Sequence, residues 1–204
     1  MIDKPTVHKI MDVAIPLFAQ KGFAGVSVKE IAEAANVNIA LISYHFGGKE
    51  NLYGTILEAQ FRLVDKIINL ISNEEKSPFE KIKDFSQEFL KLNKLHPYSH
   101  RLIYGEIINP TTCYESIVKP GVTRNHKFIV ECIEAGINSG QIRSDVKSDC
   151  ASLSFASVLN FYFFTSHLSN GFLETDQDKA EYYITEAIEM YLKSILNHSM
   201  VLEI

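Results

Sequence analysis

Tryptophan is missing from the chain, cysteine occurs three times in 204 residues, and basic side chains are outnumbered by acidic ones, 20 to 25. Cys113, Cys132 and Cys150 are widely spaced, odd in number and without a C-x-x-C pair, so neither a disulfide framework nor a zinc site is expected. No glycine-rich phosphate loop, nucleophile–base pairing or carboxylate pair at a workable spacing is present. The common enzyme signatures are therefore lacking, and no catalytic residue, metal or cofactor is expected. A net charge of −5 gives no global pull toward nucleic acid. Residues 1–62 balance Lys4, Lys9, Lys21, Lys29, Lys49 and Arg62 against Asp3, Asp12, Glu30, Glu33, Glu50 and Glu58, which leaves the whole deficit to the remainder. Long apolar runs are also lacking. The first residues carry charges and no continuous apolar segment, and "FASVLNFYFFTSHL" (155–168) is too short and too polar at its edges to span a bilayer. The expectation is a soluble cytoplasmic protein with no membrane partner. Period-two alternation and internal repeats are absent as well, which leaves helix as the main element type.

Helical spacing is plentiful. Ile10, Val13, Ala14, Leu17 and Phe18 predict a helix over 7–21, with Gly22 as its left-handed cap. "SVKE" (27–30) has the form of a capping box and opens a short helix over 28–34. Asn36 tolerates a left-handed backbone, and Asn38 is a good N-cap for a helix over 39–45. Gly47-Gly48 ends that helix, and a long one follows over 49–71. "SNEEKSP" (72–78) is the clearest boundary, and helices follow near 79–94, 98–108, 115–138, 149–168 and 176–197. Pro120-Gly121 places the start of the 115–138 helix anywhere up to Val122. The fold class is all-α.

Two short helices joined by a three-residue turn and preceded by a longer helix form the layout of a helix-turn-helix. Ile39, Ile42 and Phe46 give the second helix an inward stripe, with Val37 under the turn, and Ala40, Leu41, Ser43 and Tyr44 point outward. Ala40 and Leu41 suit contact with a thymine methyl in a major groove. Ser27, Lys29 and Lys49 sit at helix N-termini, where free N–H groups attract phosphate, and Tyr44 and His45 carry further donors. The second helix holds no Arg or Lys, so bidentate guanine reading is not expected. Readout then rests on apolar contacts, Asn38 and DNA shape.

"LFAQKGFAGVSVKEIAEAANVNIALISYHFGGKENLY" (17–53) resembles the DNA-binding domain of the TetR family of transcriptional regulators. The resemblance is carried by Leu17-Phe18, Gly22, Ile31-Ala32, Ala35, Val37, Ile42, His45-Phe46 and Lys49-Glu50-x-Leu52. The form "ISYHFGGKENLY" (42–53) is similar to the subgroup that includes the CecR-type regulators. Asn36 stands where the family often has glycine, and Asn38 where serine or threonine is common. Ser43 stands where many members have tyrosine, which shifts an expected phosphate contact to Tyr44. The resemblance implies a DNA-binding domain over 1–53, with a connecting helix at about 49–71, and a helical effector-binding and dimerisation domain over 54–204. It further implies a homodimeric, ligand-responsive regulator, a repressor, acting on a palindrome-like double-stranded operator.

The rest of the chain is read from composition and from that resemblance. The segments 149–168 and 176–197 carry apolar residues on more than one face, including "FYFF" at 161–164, so each needs a second covering surface. The resemblance makes them the dimerisation helices. It also makes the middle helices an effector pocket, for which Phe89, Tyr98, His100, Tyr104, Glu106, Tyr114, His126, Phe128, Cys132 and Phe163 are candidates. Such a set suits an amphipathic or apolar small molecule. His96 and His100 stand four apart, but Pro97 between them and the lack of a third ligand speak against a metal site. The cysteines have few basic neighbours, Lys127 and Lys147 at most, so redox sensing is a minor option. The uncharged face of the second short helix leaves one rival reading, a helical adaptor that binds another protein through a degenerate helix-turn-helix.

Overall fold

The computed structural model describes residues 4–197, and the side chains from residue 6 onward; the first three residues, whose charges enter the reading of the N-terminus, lie outside that range. The described chain is helical: α1 (Lys4–Lys21), α2 (Val28–Ala34), α3 (Ile39–Phe46), α4 (Lys49–Ser72), α5 (Pro78–Leu95), α6 (Ser99–Ile108), a π-helical turn (Tyr114–Val118), α7 (Lys119–Asn138), α8 (Ser148–Ser169) and α9 (Lys179–Ile195). Among the described residues the one strand-like feature is an isolated antiparallel bridge between Ile142 and Leu196. No described helix is long and apolar enough to cross a membrane.

Local chemistry sets the helix ends. Gly22 takes φ +70° and its N–H bonds the Phe18 carbonyl at 2.9 Å, closing α1 as a left-handed cap. Pro16 lies inside α1, where its missing N–H costs one backbone bond. The loop before α5 is another capping box. Ser77 Oγ accepts from Glu80 N–H at 3.3 Å, and the Glu80 carboxylate accepts from Ser77 N–H at 2.9 Å. Asp178 caps α9 by accepting from Glu181 N–H at 2.8 Å, so that helix begins at Lys179, three residues later than its periodicity suggests. α7 begins at Lys119 and not near Val122, because proline in a first turn loses no hydrogen bond. The five residues before it wind as a π-helical turn, which apolar spacing alone does not distinguish from an α-helix.

The chain divides into two compact units. One contains the residues up to Leu63 together with His96–Gly121, and the other Val64–Leu95 with the described residues from Val122 onward. The first unit is built on Ile10, Phe18, Ile31, Ile42, Leu52, Ile56, Leu57 and Leu102, all buried. Phe18 and Phe23 pack their rings on Tyr53 at 4.8 and 5.0 Å between centroids. The second unit is built on Ile82, Phe85, Ile133, Phe155, Ile188 and Leu192. There Phe85 meets Phe128 and Phe155 at 5.6 and 6.2 Å, and Tyr162 stacks on Tyr183 at 5.4 Å.

Gly121, in the first turn of α7, is needed for close approach. A Cβ at that position would lie 2.3–2.6 Å from three ring carbons of the buried Phe61. Alanine elsewhere in a helix gains up to about 1 kcal/mol over glycine, whereas overpacking a core costs about 1–3 kcal/mol. Gly121→Ala is therefore expected to destabilise the protein by about 1–2 kcal/mol in denaturant titration. The cost should largely vanish in a Phe61→Leu background. An equal cost in both backgrounds would show that the ring is not what the new methyl meets.

Candidate nucleic-acid interface

The helix-turn-helix is assembled from short-range hydrogen bonds. Ser27, at an extended φ/ψ, caps α2 by accepting from Glu30 N–H at 3.1 Å. Lys21 pairs with the Glu30 carboxylate across the α1–α2 turn. That pairing, with help from the Ser27 N–H, holds the Glu30 carboxyl below the ordinary carboxylate range. At the other end of α2, Asn36 takes φ +48°. Its N–H bonds the Glu33 carbonyl and the Val37 N–H the Ala32 carbonyl, both at 3.0 Å. These two bonds form a Schellman closure that turns the chain sharply toward α3. Asn38 then caps α3, its Oδ1 accepting from Ala40 N–H at 2.9 Å. Gly47, at φ +75°, ends α3 with its N–H on the Ser43 carbonyl at 2.8 Å.

Between these caps α3 is anchored by one fully buried side chain, Ile42, with Phe46 and Val37 partly buried beside it. Ile39 is not part of the buried stripe, since it is 49% exposed. As the first helical residue it lies at the open end of α3 and joins the outer surface. That surface consists of Asn38, Ile39, Ala40, Ser43 and Tyr44, all exposed, with Leu41 half-buried at its margin. Tyr44 is 75% exposed, and its ring meets that of the half-buried His45 edge-on at 5.0 Å. Lys29 projects from α2 into solvent, 3.8 Å from Glu33. Ser27, Lys29, Asn38, Ala40, Ser43 and Tyr44 are thus all accessible on the α2–α3 segment.

Lys49 is placed differently from its expected outward position. Its Nζ donates to the Phe23 and Val26 carbonyls, each at 2.8 Å, and lies 4.1 Å from the centre of the Phe23 ring. The side chain is half-buried against the α1–α2 turn.

The residues proposed for an effector pocket do not all come together. Tyr98, His100, Tyr104 and Tyr114 belong to the first unit, where the His100 and Tyr104 rings lie parallel at 6.0 Å. Phe89, His126, Phe128, Cys132 and Phe163 belong to the second. There Phe89 stacks on Phe85 at 5.8 Å, and His126 Nδ1 meets the buried Ser152 Oγ at 2.8 Å. Phe163 packs against the core next to Tyr162. Phe128 and Cys132 line one cleft, of about 220 Å³, together with Lys76, Pro78 and Lys81. Burial pushes the Cys132 thiol up to about 11, and Cys113 is also buried and raised, which makes both poor redox sensors. His96 is exposed and precedes α6, whereas His100 is buried within it, so the two do not share a site.

A buried polar group of the first unit carries more structure than its sequence suggests. Glu106, on α6 and 1% exposed, accepts from Thr111 N–H and from Thr111 Oγ1, each at 3.1 Å. Tyr53 of α4 also hydrogen-bonds Glu106, and burial, then that carboxylate, raise the Tyr53 hydroxyl far above its ordinary range. Thr112 Oγ1 bonds Glu50, in the first turn of α4. A lone acidic residue in the otherwise apolar "LIYGEII" is the one sequence signal for this network.

Comparison with known proteins singles out the same segment. Residues 10–56 match the family described as "Bacterial regulatory proteins, tetR family". The "Probable HTH-type transcriptional regulator YttP" of Bacillus subtilis (strain 168) is 32% identical over 135 residues, covering 64% of each chain. The "Biofilm operon icaADBC HTH-type negative transcriptional regulator IcaR" of Staphylococcus aureus (strain Newman) is 32% identical over 82 residues, 40% of this chain and 44% of that one. The chain thus spans less than two thirds of the length of these relatives. Among solved structures, AibR in complex with isovaleryl coenzyme A and operator DNA has a TM-score of 0.72 at 17% identity, covering 94% of this chain and 98% of that one. At that identity the likeness establishes the fold alone.

Proposed function

We propose, from the TetR-family domain that residues 10–56 carry, that the chain is a ligand-responsive DNA-binding transcriptional regulator, a repressor that releases its operator when a small molecule binds. The observation that carries this reading is α3 itself. It is capped at both ends, pinned by Ile42, and presents Asn38, Ala40, Ser43 and Tyr44 to solvent, as a helix entering a major groove requires. Ser27, Lys29 and Tyr44 hold phosphates, with His45 behind Tyr44, while Ala40 and Leu41 contact bases. The name of IcaR, a negative regulator, supports the repressor sign. The description of AibR, with both a coenzyme A thioester and operator DNA, supports an amphipathic effector. The "ISYHFGGKENLY" form adds a proposed place in the CecR-like subgroup. Effector binding in the second unit would act by shifting the population between DNA-competent and DNA-incompetent dimers. That dimer forms through α8 and α9, so two copies of α3 face a palindrome-like operator about one DNA turn (roughly 34–36 Å) or a multiple of it apart.

The reading is tested by titrating duplexes from the region upstream of the protein's own gene at several salt concentrations. Log affinity is expected to fall steeply and linearly with log salt, by about 0.9 per phosphate contact. Tyr44→Ala is expected to weaken binding about tenfold while leaving the melting temperature in place, because its side chain is largely in solvent. Binding that ignores salt, or no binding to any duplex, would favour the protein-adaptor reading.

A further inference from the structure

Lys49 stands where a cation is electrostatically out of place. A lysine at the first position of a helix faces the positive end of the helix dipole, an unfavourable site unless an anion or acceptor stands in front of it. Phosphate is one solution, and the structure contains another. An ammonium has three N–H donors, and here two of them are held by the Phe23 and Val26 carbonyls at 2.8 Å each. The face of the Phe23 ring, 4.1 Å from Nζ, adds a cation–π contact. Phe23 and Val26 belong to the turn between α1 and α2, 26 and 23 residues earlier in the chain. That turn leads directly into Ser27 and Lys29, whereas Lys49 follows the Gly47-Gly48 break that ends α3.

We infer that Lys49 is a positioning residue and not a phosphate contact: its ammonium fastens the start of α4 to the α1–α2 turn and so fixes the Ser27–Lys29 edge of the reading head relative to α3. This rests on the proposed DNA-binding function. The two carbonyl oxygens offset the unfavourable dipole internally, and each gains a charged donor, the Phe23 carbonyl in addition to its long 3.5 Å bond from Val26 N–H. The glycines before Lys49 then have a conformational purpose. Gly47 and Gly48, at φ +75° and +133°, adopt backbones that favour glycine, and they bring the chain from α3 back to where the lysine reaches the turn.

The test compares Lys49→Met with Lys29→Met in the full-length protein, reading thermal melting and the salt dependence of operator binding. Methionine keeps the apolar stem over Phe23 and removes every donor. Lys49→Met is expected to bind about tenfold more weakly, to melt about 3–6 °C lower, and to keep the wild-type salt slope. Lys29→Met, whose side chain is 78% exposed, is expected to do the reverse: unchanged melting and a slope shallower by about 0.9 per protomer. A shallower slope for Lys49→Met overturns the inference whatever its melting does, and so do affinity and melting both at wild-type values. Should the wild-type protein bind no duplex, the proposed function fails. The clamp is then judged by melting alone, and an unmoved Lys49→Met melting temperature would sink it.

Discussion

Phe161→Glu combined with Phe164→Glu is expected to leave the chain folded but monomeric, with operator affinity weakened by more than about a hundredfold. α8 divides cleanly into two faces. Phe155, Leu159 and Tyr162 are buried in the second unit, whereas Leu153, Phe161, Phe164 and Leu168 are each exposed. The exposed four advance in helical steps of eight, three and four residues and so form one stripe along the helix. This stripe, broken at Ser157, is the surface that the proposed dimer would cover. In a two-fold dimer each side chain is used twice. Burying a phenylalanine is worth about 1.5–3 kcal/mol, so the four rings supply an upper estimate of about 6–12 kcal/mol of association. Four carboxylates in their place remove that gain and add a desolvation cost. Because both positions face solvent in the single chain, helix content should be preserved. Sedimentation velocity is the measurement that decides: a double variant that still sediments as a dimer would show that another surface joins the copies.

Phe155→Ala is expected to have the largest effect on stability, about 3–5 kcal/mol. The side chain is 1% exposed and packs on the rings of Phe85 and Tyr191, at 6.2 and 5.7 Å between centroids. Neither neighbour can fill the space easily, since the Tyr191 hydroxyl is bonded to the Ala151 carbonyl at 2.7 Å and the Phe85 ring is in contact with Phe89 and Phe128. For a chain of 204 residues the loss corresponds to a fall of roughly 10 °C in melting temperature. Phe155→Leu should lose less than half as much. If the two units melt in separate steps, only the transition of the second should move. A loss below about 1.5 kcal/mol for the alanine variant would mean that the site collapses around the deletion.

What could be read in advance was what is decided within a few residues. The Ser27 cap, the left-handed Gly22 and Asn36, the Asn38 cap and the glycine stop after α3 each depend on groups at most five positions apart, and each is where its residue type predicts. Longer-range features were hidden for the same reason. Nothing near Lys49 in the sequence announces acceptors at Phe23 and Val26, so its charge reads as free. Ile39 has the right residue type and spacing for burial but sits at a helix end that nothing covers. Aromatic residues in the middle helices signal burial without saying in which core. Tyr98 and Tyr104 therefore look equivalent to Phe89 and Phe128, although they belong to different units.

The hydrogen bonds of Glu106 bear on how freely the parts of such a chain can be exchanged. The unit that contains the helix-turn-helix is discontinuous in sequence, and Tyr53–Glu106 and Glu50–Thr112 stitch its early and late pieces together. Ile117 lies 3.2 Å from where a Cβ on Gly54 would stand, so that position accepts nothing larger without repacking. A chimera that takes only the first 53 residues from a relative would bring a foreign partner to Glu106 and Thr112, and one that takes a residue more would also bring one to Ile117. Exchange of α3 by simple recombination at that point is therefore constrained by Glu106 and Thr112, neither of them near α3 in the sequence.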